Sequence, residues 1–209
     1  MKIKEFSIGS LGENIYVVFD EETKETFVVD PGKNIDVIID FIKKNELKLK
    51  YILITHAHID HIEGVEPLSR RLGGKILLHS EDIPALQDEK ISLAYMLDGP
   101  FDKFKNYYPI EQEKDIKIGS IEVSVIHTPG HTKGSVSLLA GSALFTGDTL
   151  FKESIGRTDF PGGDFYTILK SIKEGIIPLG NNIKVYPGHG ENTTIQHEVK
   201  YNTFITGEC

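Results

Sequence analysis

One short stretch constrains this chain more than any other. Thr55-His56-Ala57-His58-Ile59-Asp60-His61 follows directly behind an apolar run at 51–54, and it holds three imidazoles and a carboxylate. Side chains of this kind placed so close together would repel one another or compete for protons unless a cation drew them together. Metal ligands in proteins are often carried on a loop that directly follows an apolar strand. We therefore predict a metal site here and not a solvated polar loop.

The same loop carries more ligands than one catalytic metal needs. His56 and His58 are two residues apart, so in an extended backbone they point to the same side and can share one ion. A zinc-like ion takes four ligands, and in a catalytic site one of them is water. Asp60 and His61 cannot both join that ion, and we therefore expect a second divalent metal ion beside the first.

Length and composition limit the number of domains, the location and the kinds of partner that this chain can have. The 209 residues favour a single domain over 1–209, and the longest apolar runs are far shorter than a membrane span. The N-terminal residues lack the apolar region of a signal peptide, which favours a cytoplasmic protein without a membrane partner. The single cysteine, Cys209, excludes an internal disulfide and a cysteine-based zinc site. A net charge of -8 disfavours nucleic acid as a partner, whereas an anionic small molecule remains admissible beside two cations.

Hydrophobic periodicity predicts the fold class. Alternating residues predict strands at 3–8, 15–19, 26–29, 51–54, 75–78 and 183–186, with more in 116–145. Apolar residues at helical spacing predict helices over 35–42, from about Ile62 to Leu72, and over 165–172. A last helix is expected behind Thr193, which with Gln196 resembles a capping box. Two sheets with covering helices indicate an α/β fold of four layers, an αββα sandwich.

The segment 81–110 is the least regular part of the chain. Its large side chains are Tyr95, Met96, Phe101, Phe104, Tyr107 and Tyr108. One interpretation is a helical excursion that packs these rings on the core. The other is a substrate lid or a dimer contact.

Three further ligand types stand alone behind predicted strands. They are His131, Asp148 and His189, each among glycines that let the backbone approach closely. With the 55–61 loop they make a set that resembles the metallo-β-lactamase superfamily, through the motif Thr-His-x-His-x-Asp-His and the spaced His, Asp and His. A narrower similarity, to glyoxalase II-like hydrolases, is carried by Gly147-Asp148-Thr149-Leu150-Phe151, by Ile155-Gly156-Arg157-Thr158-Asp159-Phe160 and by Gly188-His189-Gly190.

That resemblance implies a ligand set and a cofactor. The first metal is held by His56, His58 and His131, the second by Asp60, His61 and His189, and Asp148 bridges both. Zinc is the usual ion of the family, and iron or manganese is also accepted. Arg157 becomes a candidate for substrate binding. Full glyoxalase II enzymes carry a C-terminal helical domain that helps to hold glutathione, whereas this chain ends soon after the last ligand. The resemblance therefore does not establish which thiol carries the acyl group.

Four other residues are assigned from their positions in the predicted elements. Asp30 ends a sheet strand and is expected to accept a hydrogen bond from a metal-bound imidazole. His127 continues the alternation of a strand and is interpreted as a core or supporting residue. We expect structural roles for His79, at a strand end, and for His197, on the last helix.

The predicted chemistry is hydrolysis of a small-molecule thioester of the hydroxyacylglutathione type. Two cations about 3.5 to 4 Å apart can hold a bridging water and lower its pKa toward 7. The resulting hydroxide attacks a carbonyl carbon, one metal stabilises the oxyanion, and Asp60 orients the nucleophile while serving as a ligand. A thiol with a pKa of about 8.5 leaves readily as thiolate.

Other chemistries fit the ligands less well. A persulfide dioxygenase, which the Gly156-Arg157-Thr158-Asp159-Phe160 motif also resembles, uses one iron held by the equivalents of His56, His131 and Asp148. Net charge disfavours an RNA-processing nuclease. One branch of zinc β-lactamases has a cysteine where this chain has Asp148. A non-catalytic metal-binding module would have no use for an open coordination position.

Overall fold

The first of two facing sheets is built from the N-terminal half of the chain. The computed structural model describes residues 1–8, 12–96, 103–110 and 115–207. Six of the described strands form this sheet in chain order: β1 (Lys2–Ile8), β2 (Glu13–Phe19), β3 (Glu25–Val29), β4 (Lys48–Leu53), β5 (Lys75–His79) and β6 (Tyr107–Ile110). β1 to β3 pair antiparallel, and β3 to β6 pair parallel.

The second sheet comes from the C-terminal half. Its described strands are β7 (Ile116–Ile118), β8 (Ile121–His127), β9 (Val136–Ala140), β10 (Ala143–Gly147), β13 (Lys184–Pro187) and β14 (Thr193–Thr194). Their order across the sheet is β14-β13-β10-β9-β8-β7, and β10 and β13 run parallel. A separate ribbon pairs β11 (Leu150–Phe151) with β12 (Ser154–Ile155).

Helices cover the outer face of each sheet. The α-helices of the described residues are α1 (Asp36–Lys44), α2 (Ile59–Ile62), α3 (Val65–Leu72), α4 (Phe165–Lys170), α5 (Ile195–Tyr201) and α6 (Thr203–Thr206). Short 3-10 segments span Ser80–Leu86 and Ala94–Met96, and the path of α4 continues through a π-helical turn, Ser171–Ile176, to Gly180. None of the described helices has the length and apolar character needed to cross a membrane.

Strand alternation sorts the buried side chains into layers. In β2, Ile15 and Val17 pack toward the helices, whereas Tyr16 and Val18 pack between the two sheets. Beneath α4 and α5, a further apolar layer includes Leu144 of the second sheet. Side chains that point alternately to opposite faces of a strand account for this division. The predicted α/β fold with an αββα order of layers is confirmed.

Two details of the predicted helices are wrong. The helix expected from about Ile62 to Leu72 begins three residues later, at Val65, as α3, and Ile62 ends the separate short helix α2. Gly64, between the two helices, donates its N–H to the Pro31 carbonyl oxygen. The last helix is capped by Thr194, whose hydroxyl accepts a hydrogen bond from the His197 N–H, and not by Thr193, whose hydroxyl donates to Glu198 at 2.6 Å.

The segment 81–110 agrees only in part with the packing interpretation, and a substrate lid or dimer contact stays a prediction. Phe104 is fully buried in the core, as the packing interpretation expects, but Tyr95, Met96 and Tyr108 are largely exposed. Phe101 lies outside the described residues. The segment also contributes β6 to the edge of the first sheet, a strand that the sequence patterns did not indicate.

Candidate metal centre

The predicted ligands meet at one edge of the sandwich. The loop 55–61 begins just behind β4, His131 follows β8, Asp148 follows β10, and His189 follows β13. Since β4 lies among parallel strands and β10 is parallel to β13, their carboxyl ends deliver these loops to a common edge.

The first cluster contains His56, His58 and His131. Their ring centroids are 4.6 to 4.8 Å apart, and one ligand nitrogen from each ring lies within 4.8 Å of the others. All three side chains are buried. Each Nε2 atom is buried without a hydrogen-bond partner among the described residues, which is the state of an imidazole prepared to bind a cation.

The second cluster contains Asp60, His61 and His189. His61 Nε2 lies 3.3 Å from His189 Nε2, and Asp60 Oδ2 lies 3.2 Å from His189 Nε2 and 3.6 Å from His61 Nε2. His61 is fully buried, whereas Asp60 and His189 keep part of their surface exposed. This cluster is the side of the centre that is more open to solvent.

Asp148 lies between the two clusters. Its Oδ1 is 3.3 Å from His61 Nε2, and its Oδ2 is 3.6 Å from His131 Nε2 and 3.7 Å from His189 Nε2. Two donor atoms bound at about 2.1 Å to a tetrahedral ion lie about 3.4 Å apart, so this spacing suits atoms that share a cation. Asp148 Oδ1 is also buried without a hydrogen-bond partner among the described residues. The donor set therefore fits divalent metal ions.

Three imidazoles donate a hydrogen bond from Nδ1, which turns the other ring nitrogen, Nε2, toward the centre. Asp30 Oδ2 accepts from His61 Nδ1 at 3.1 Å and from the Thr55 hydroxyl at 2.5 Å. His56 Nδ1 lies 3.1 Å from the same hydroxyl and donates to it, because the hydroxyl hydrogen is already given to Asp30. His131 Nδ1 donates to the Arg157 carbonyl oxygen at 2.7 Å. Each arrangement leaves Nε2 as the lone-pair nitrogen.

Burial and charge divide the centre electrostatically. Burial lowers the pKa of His56 well below its usual range and that of His58 to about 3, so both rings are neutral and can act as ligands. Burial also opposes charge on His61, but the carboxylates of Asp60 and Asp148 outweigh it and raise its pKa. Burial opposes the ionised form of Asp148, but His61 outweighs it and holds the pKa of Asp148 well below its usual range. The two carboxylates therefore favour positive charge at this position, which a bound divalent cation would supply.

The glycine before His189 is required by close packing. A Cβ atom at Gly188 would collide with the Asp148 carboxylate and with the His61 ring. Only a glycine lets the loop behind β13 pass this close to the bridging position. The expectation that glycines permit a close approach beside the ligands is met here.

A cavity of about 540 Å³ opens above both clusters. Its wall is lined by Glu13, Lys33, His58, Ile59, Asp60, Glu63, Leu93, Met96, His131, Asp148, Phe151, Ser154, Ile155, Arg157, Phe160 and His189. Arg157 stands at this wall with its guanidinium 4.2 Å from the Phe160 ring centroid, and it donates two hydrogen bonds to Asp159. The mixture of apolar surface and ligand atoms suits a small molecule whose reacting group lies on the metals.

The other histidines lie apart from both clusters. His79 and His127 stack on each other with ring centroids 4.2 Å apart, and His127 Nε2 donates to the Lys133 carbonyl oxygen at 2.8 Å. His127 is half-buried at the end of β8, so it is not a full core residue. His197 pairs with Glu153 at 2.8 Å. None of the three belongs to a metal-capable group of the described residues.

Sequence reasoning missed residues that work through hydrogen bonds or burial. Thr55 carries no sequence signal beyond its place in the loop, although its hydroxyl connects Asp30 to His56. Glu13 is a buried carboxylate at the cavity wall, and burial raises its pKa. Glu13 is the first residue of the buried strand β2. The only sequence feature that could have drawn attention to it is a charged side chain beside a run of apolar residues.

Comparison with known proteins places these features in a family. A family model described as the metallo-beta-lactamase superfamily matches residues 8–189. The hydroxyacylglutathione hydrolase GloC of Haemophilus influenzae is 32% identical over 100% of both chains. The crystal structure of BLEG-1 B3 metallo-beta-lactamase superposes with a TM-score of 0.92 and 37% identity, covering 99% of this chain and 100% of that one.

A third relative bears on the metal content. The crystal structure of TTHA1623 in a di-iron-bound form has a TM-score of 0.83 and 32% identity, covering 96% of this chain and 99% of that one. Divalent metal ions are thus implied both by the clusters of this chain and by its family. With the fold, the donor set and the full-length similarity in agreement, this chain belongs to the metallo-β-lactamase superfamily.

Proposed function

We propose that this chain is a dinuclear metal-dependent hydrolase that cleaves a thioester of the hydroxyacylglutathione type. The observation that carries the proposal is the position of Asp148, within 3.7 Å of His131 on one side and of His61 and His189 on the other. A carboxylate in reach of two assembled clusters suits two ions that share a ligand. Zinc is the preferred ion of the proposal, with iron or manganese as substitutes.

Each cluster has an assigned ion in this proposal. His56, His58 and His131 would hold the first, Asp60, His61 and His189 would hold the second, and Asp148 would be shared by both. When bound, the two ions would supply a water with a pKa lowered toward about 7 and would polarise the carbonyl group of the substrate. All other tasks fall to side chains of this chain.

Asp60 is the proposed catalytic carboxylate. Its Oδ2 lies 3.2 Å from His189 Nε2, and the side chain also lines the cavity. From this position it accepts a hydrogen bond from the attacking water and orients the oxygen lone pair toward the carbonyl carbon. His61 and His189 keep Asp60 ionised, because both histidines lower the pKa of its carboxyl against the opposing effect of burial.

The cavity wall supports an acyl thioester as substrate. Phe160 stands beside His58 with ring centroids 5.7 Å apart, and Phe151 stands beside His189 with centroids 6.2 Å apart. These rings flank the two clusters, exclude water and offer apolar surface to the acyl chain or the carrier. Arg157, at the same wall, is the proposed contact for a carboxylate of the substrate. GloC, a relative named as a hydroxyacylglutathione hydrolase, supports the same substrate class.

A β-lactam amide is the second candidate substrate, because BLEG-1, a B3 metallo-beta-lactamase, is similar over the full chain. An amide nitrogen is a poorer leaving group than a thiolate and needs a proton, so we place the thioester first. A chromogenic cephalosporin assayed beside a thioester ranks the two. A thioester kcat/KM below that of the cephalosporin would reverse our order.

His189→Ala separates the hydrolase from a mononuclear iron dioxygenase. In the dinuclear hydrolase the variant should bind about one metal instead of two and lose thioesterase activity by at least about 100-fold. His197→Ala is the matched control, since this histidine pairs with Glu153 away from both clusters. Metal content is measured by elemental analysis and turnover by thiol release. Unchanged iron content with persulfide-dependent oxygen uptake in His189→Ala would contradict the hydrolase.

A further inference from the structure

Asp82 is a buried carboxylate that belongs to neither metal cluster. It lies in the 3-10 segment Ser80–Leu86, and its exposed fraction is 4%. Oδ2 accepts hydrogen bonds from the Ala57 N–H at 2.9 Å and from the Thr132 hydroxyl at 2.8 Å, and Oδ1 accepts from the Gly134 N–H at 2.7 Å. Both oxygens are therefore engaged by backbone and hydroxyl donors from two other segments.

These donors are the neighbours of the first cluster in the chain. Ala57 stands between His56 and His58, and Thr132 directly follows His131. One carboxylate thus ties together the two loops that supply all three imidazoles of the first cluster. The loops meet at the carboxyl ends of strands in different sheets, so this connection spans the two halves of the sandwich.

The packing around Asp82 is specific to this arrangement. A Cβ atom at Gly134 would lie 2.7 Å from both Cγ and Oδ1 of Asp82, so this position has no room for a larger residue. A carboxylate removed from water costs free energy unless hydrogen bonds compensate it, and here three of them do. An apolar residue would fill the same space without that cost, but it could not accept from both loops.

We propose that Asp82 is a positioning residue that presets the spacing of His56, His58 and His131 for the first metal ion. This inference rests on the proposed function only for the identity of the metal ligands. Asp30 plays the corresponding part for the second cluster, where it accepts directly from the His61 ring. Asp82 acts one step further away, through the backbone on either side of the ligands.

Asp20 offers a matched control. It is also buried, with an exposed fraction of 3%, and it accepts hydrogen bonds from the N–H groups of Glu22, Thr23 and Ser120 and from the Ser120 hydroxyl. It ties the turn before β3 to the turn between β7 and β8. Those turns lie at the opposite end of β3 from Asp30, about 17 Å along the strand. Asp20→Asn therefore removes a comparable inter-sheet connection far from the metals.

The experiment measures zinc affinity by competition with a chromogenic chelator, on full-length protein loaded with two equivalents of zinc. The amide of Asp82→Asn turns an NH₂ group toward one of the three donors, so we expect one zinc ion to bind about 10- to 100-fold more weakly. The other ion should keep its wild-type affinity. Asp20→Asn should keep both affinities, although its melting temperature falls as that of Asp82→Asn does.

Two further variants identify the affected site and guard against misfolding. In a His189→Ala background the remaining zinc reports on the first cluster, and adding Asp82→Asn should weaken that ion. Thr132→Val removes one of the three hydrogen bonds and leaves the carboxylate in place, so we expect a smaller loss of about 10-fold or less.

Wild-type affinity for both ions in Asp82→Asn and Thr132→Val would overturn the positioning role. An equal loss of zinc affinity in Asp20→Asn would also overturn it, because the effect would then be general destabilisation. A wild-type protein that binds two zinc ions without thioesterase activity would refute the proposed substrate. The zinc affinities would still test the role of Asp82. A wild-type protein that binds no zinc would refute the ligand assignment and the role of Asp82 together.

Discussion

Asp30→Asn changes the hydrogen-bond acceptors beneath His61 and Thr55. The exposed fraction of Asp30 is 2%, and its carboxylate accepts hydrogen bonds from the Thr55 N–H at 2.7 Å, the Thr55 hydroxyl at 2.5 Å and His61 Nδ1 at 3.1 Å. Its φ of +47° is a conformation that asparagine tolerates and alanine does not. The backbone is therefore expected to survive the substitution.

The magnitude follows from the single acceptor oxygen of an amide. If that oxygen faces the Thr55 N–H, the NH₂ group faces His61 Nδ1 and moves the ring proton to Nε2, the atom that points at the metals. If the amide oxygen instead faces His61 Nδ1, the NH₂ group faces the Thr55 N–H, and two donors meet without an acceptor. In either case at least one hydrogen bond to a charged acceptor is lost, at about 1.5 to 3 kcal/mol. Binding at the His61 cluster should weaken by about 10- to 150-fold.

Zinc titration against a chromogenic chelator measures this change, with Asp20→Asn as the control for a buried carboxylate elsewhere. Turnover of Asp30→Asn should be low at limiting zinc and should recover largely in excess zinc, because affinity and not the reacting groups is altered. Unchanged affinity for both ions would refute the reasoning. A loss of turnover that excess zinc does not restore would show that Asp30 acts by another route.

Four other substitutions test the centre. Asp148→Ala should lose metal as well as turnover, and wild-type stoichiometry by elemental analysis would contradict a bridging ligand. Asp60→Asn should lower kcat by about 100-fold or more with only partial loss of the second ion, and a fully active variant would exclude its catalytic role. Gly188→Ala should bind metal poorly because the added Cβ collides with Asp148, which stoichiometry also measures. His197→Ala should leave both metal content and rate unchanged, and a change in either would place it in the centre.

The local spacing of residues was sufficient to predict much of this protein. Alternation in β2 and β10 indicated strands, and two histidines two residues apart behind β4 indicated a shared ion. Both patterns can be recognised in the sequence because side chains alternate along a strand whatever the strand packs against. The expected position of Asp30 beneath a ligand ring also agrees with the structure, since a residue at a strand end is delivered to the same edge as its neighbours.

Tertiary packing decided what no local period encodes. Gly64, between α2 and α3, donates its N–H to the Pro31 carbonyl oxygen of a distant segment, and the Thr193 hydroxyl is taken by Glu198, which leaves Thr194 to cap the last helix. Asp82 is the plainest case. Its partners Ala57 and Gly134 offer only backbone N–H groups, which nearly every residue possesses, so the sequence carries no mark of the pairing. Only the approach of two sheets brings that carboxylate to the loops it connects.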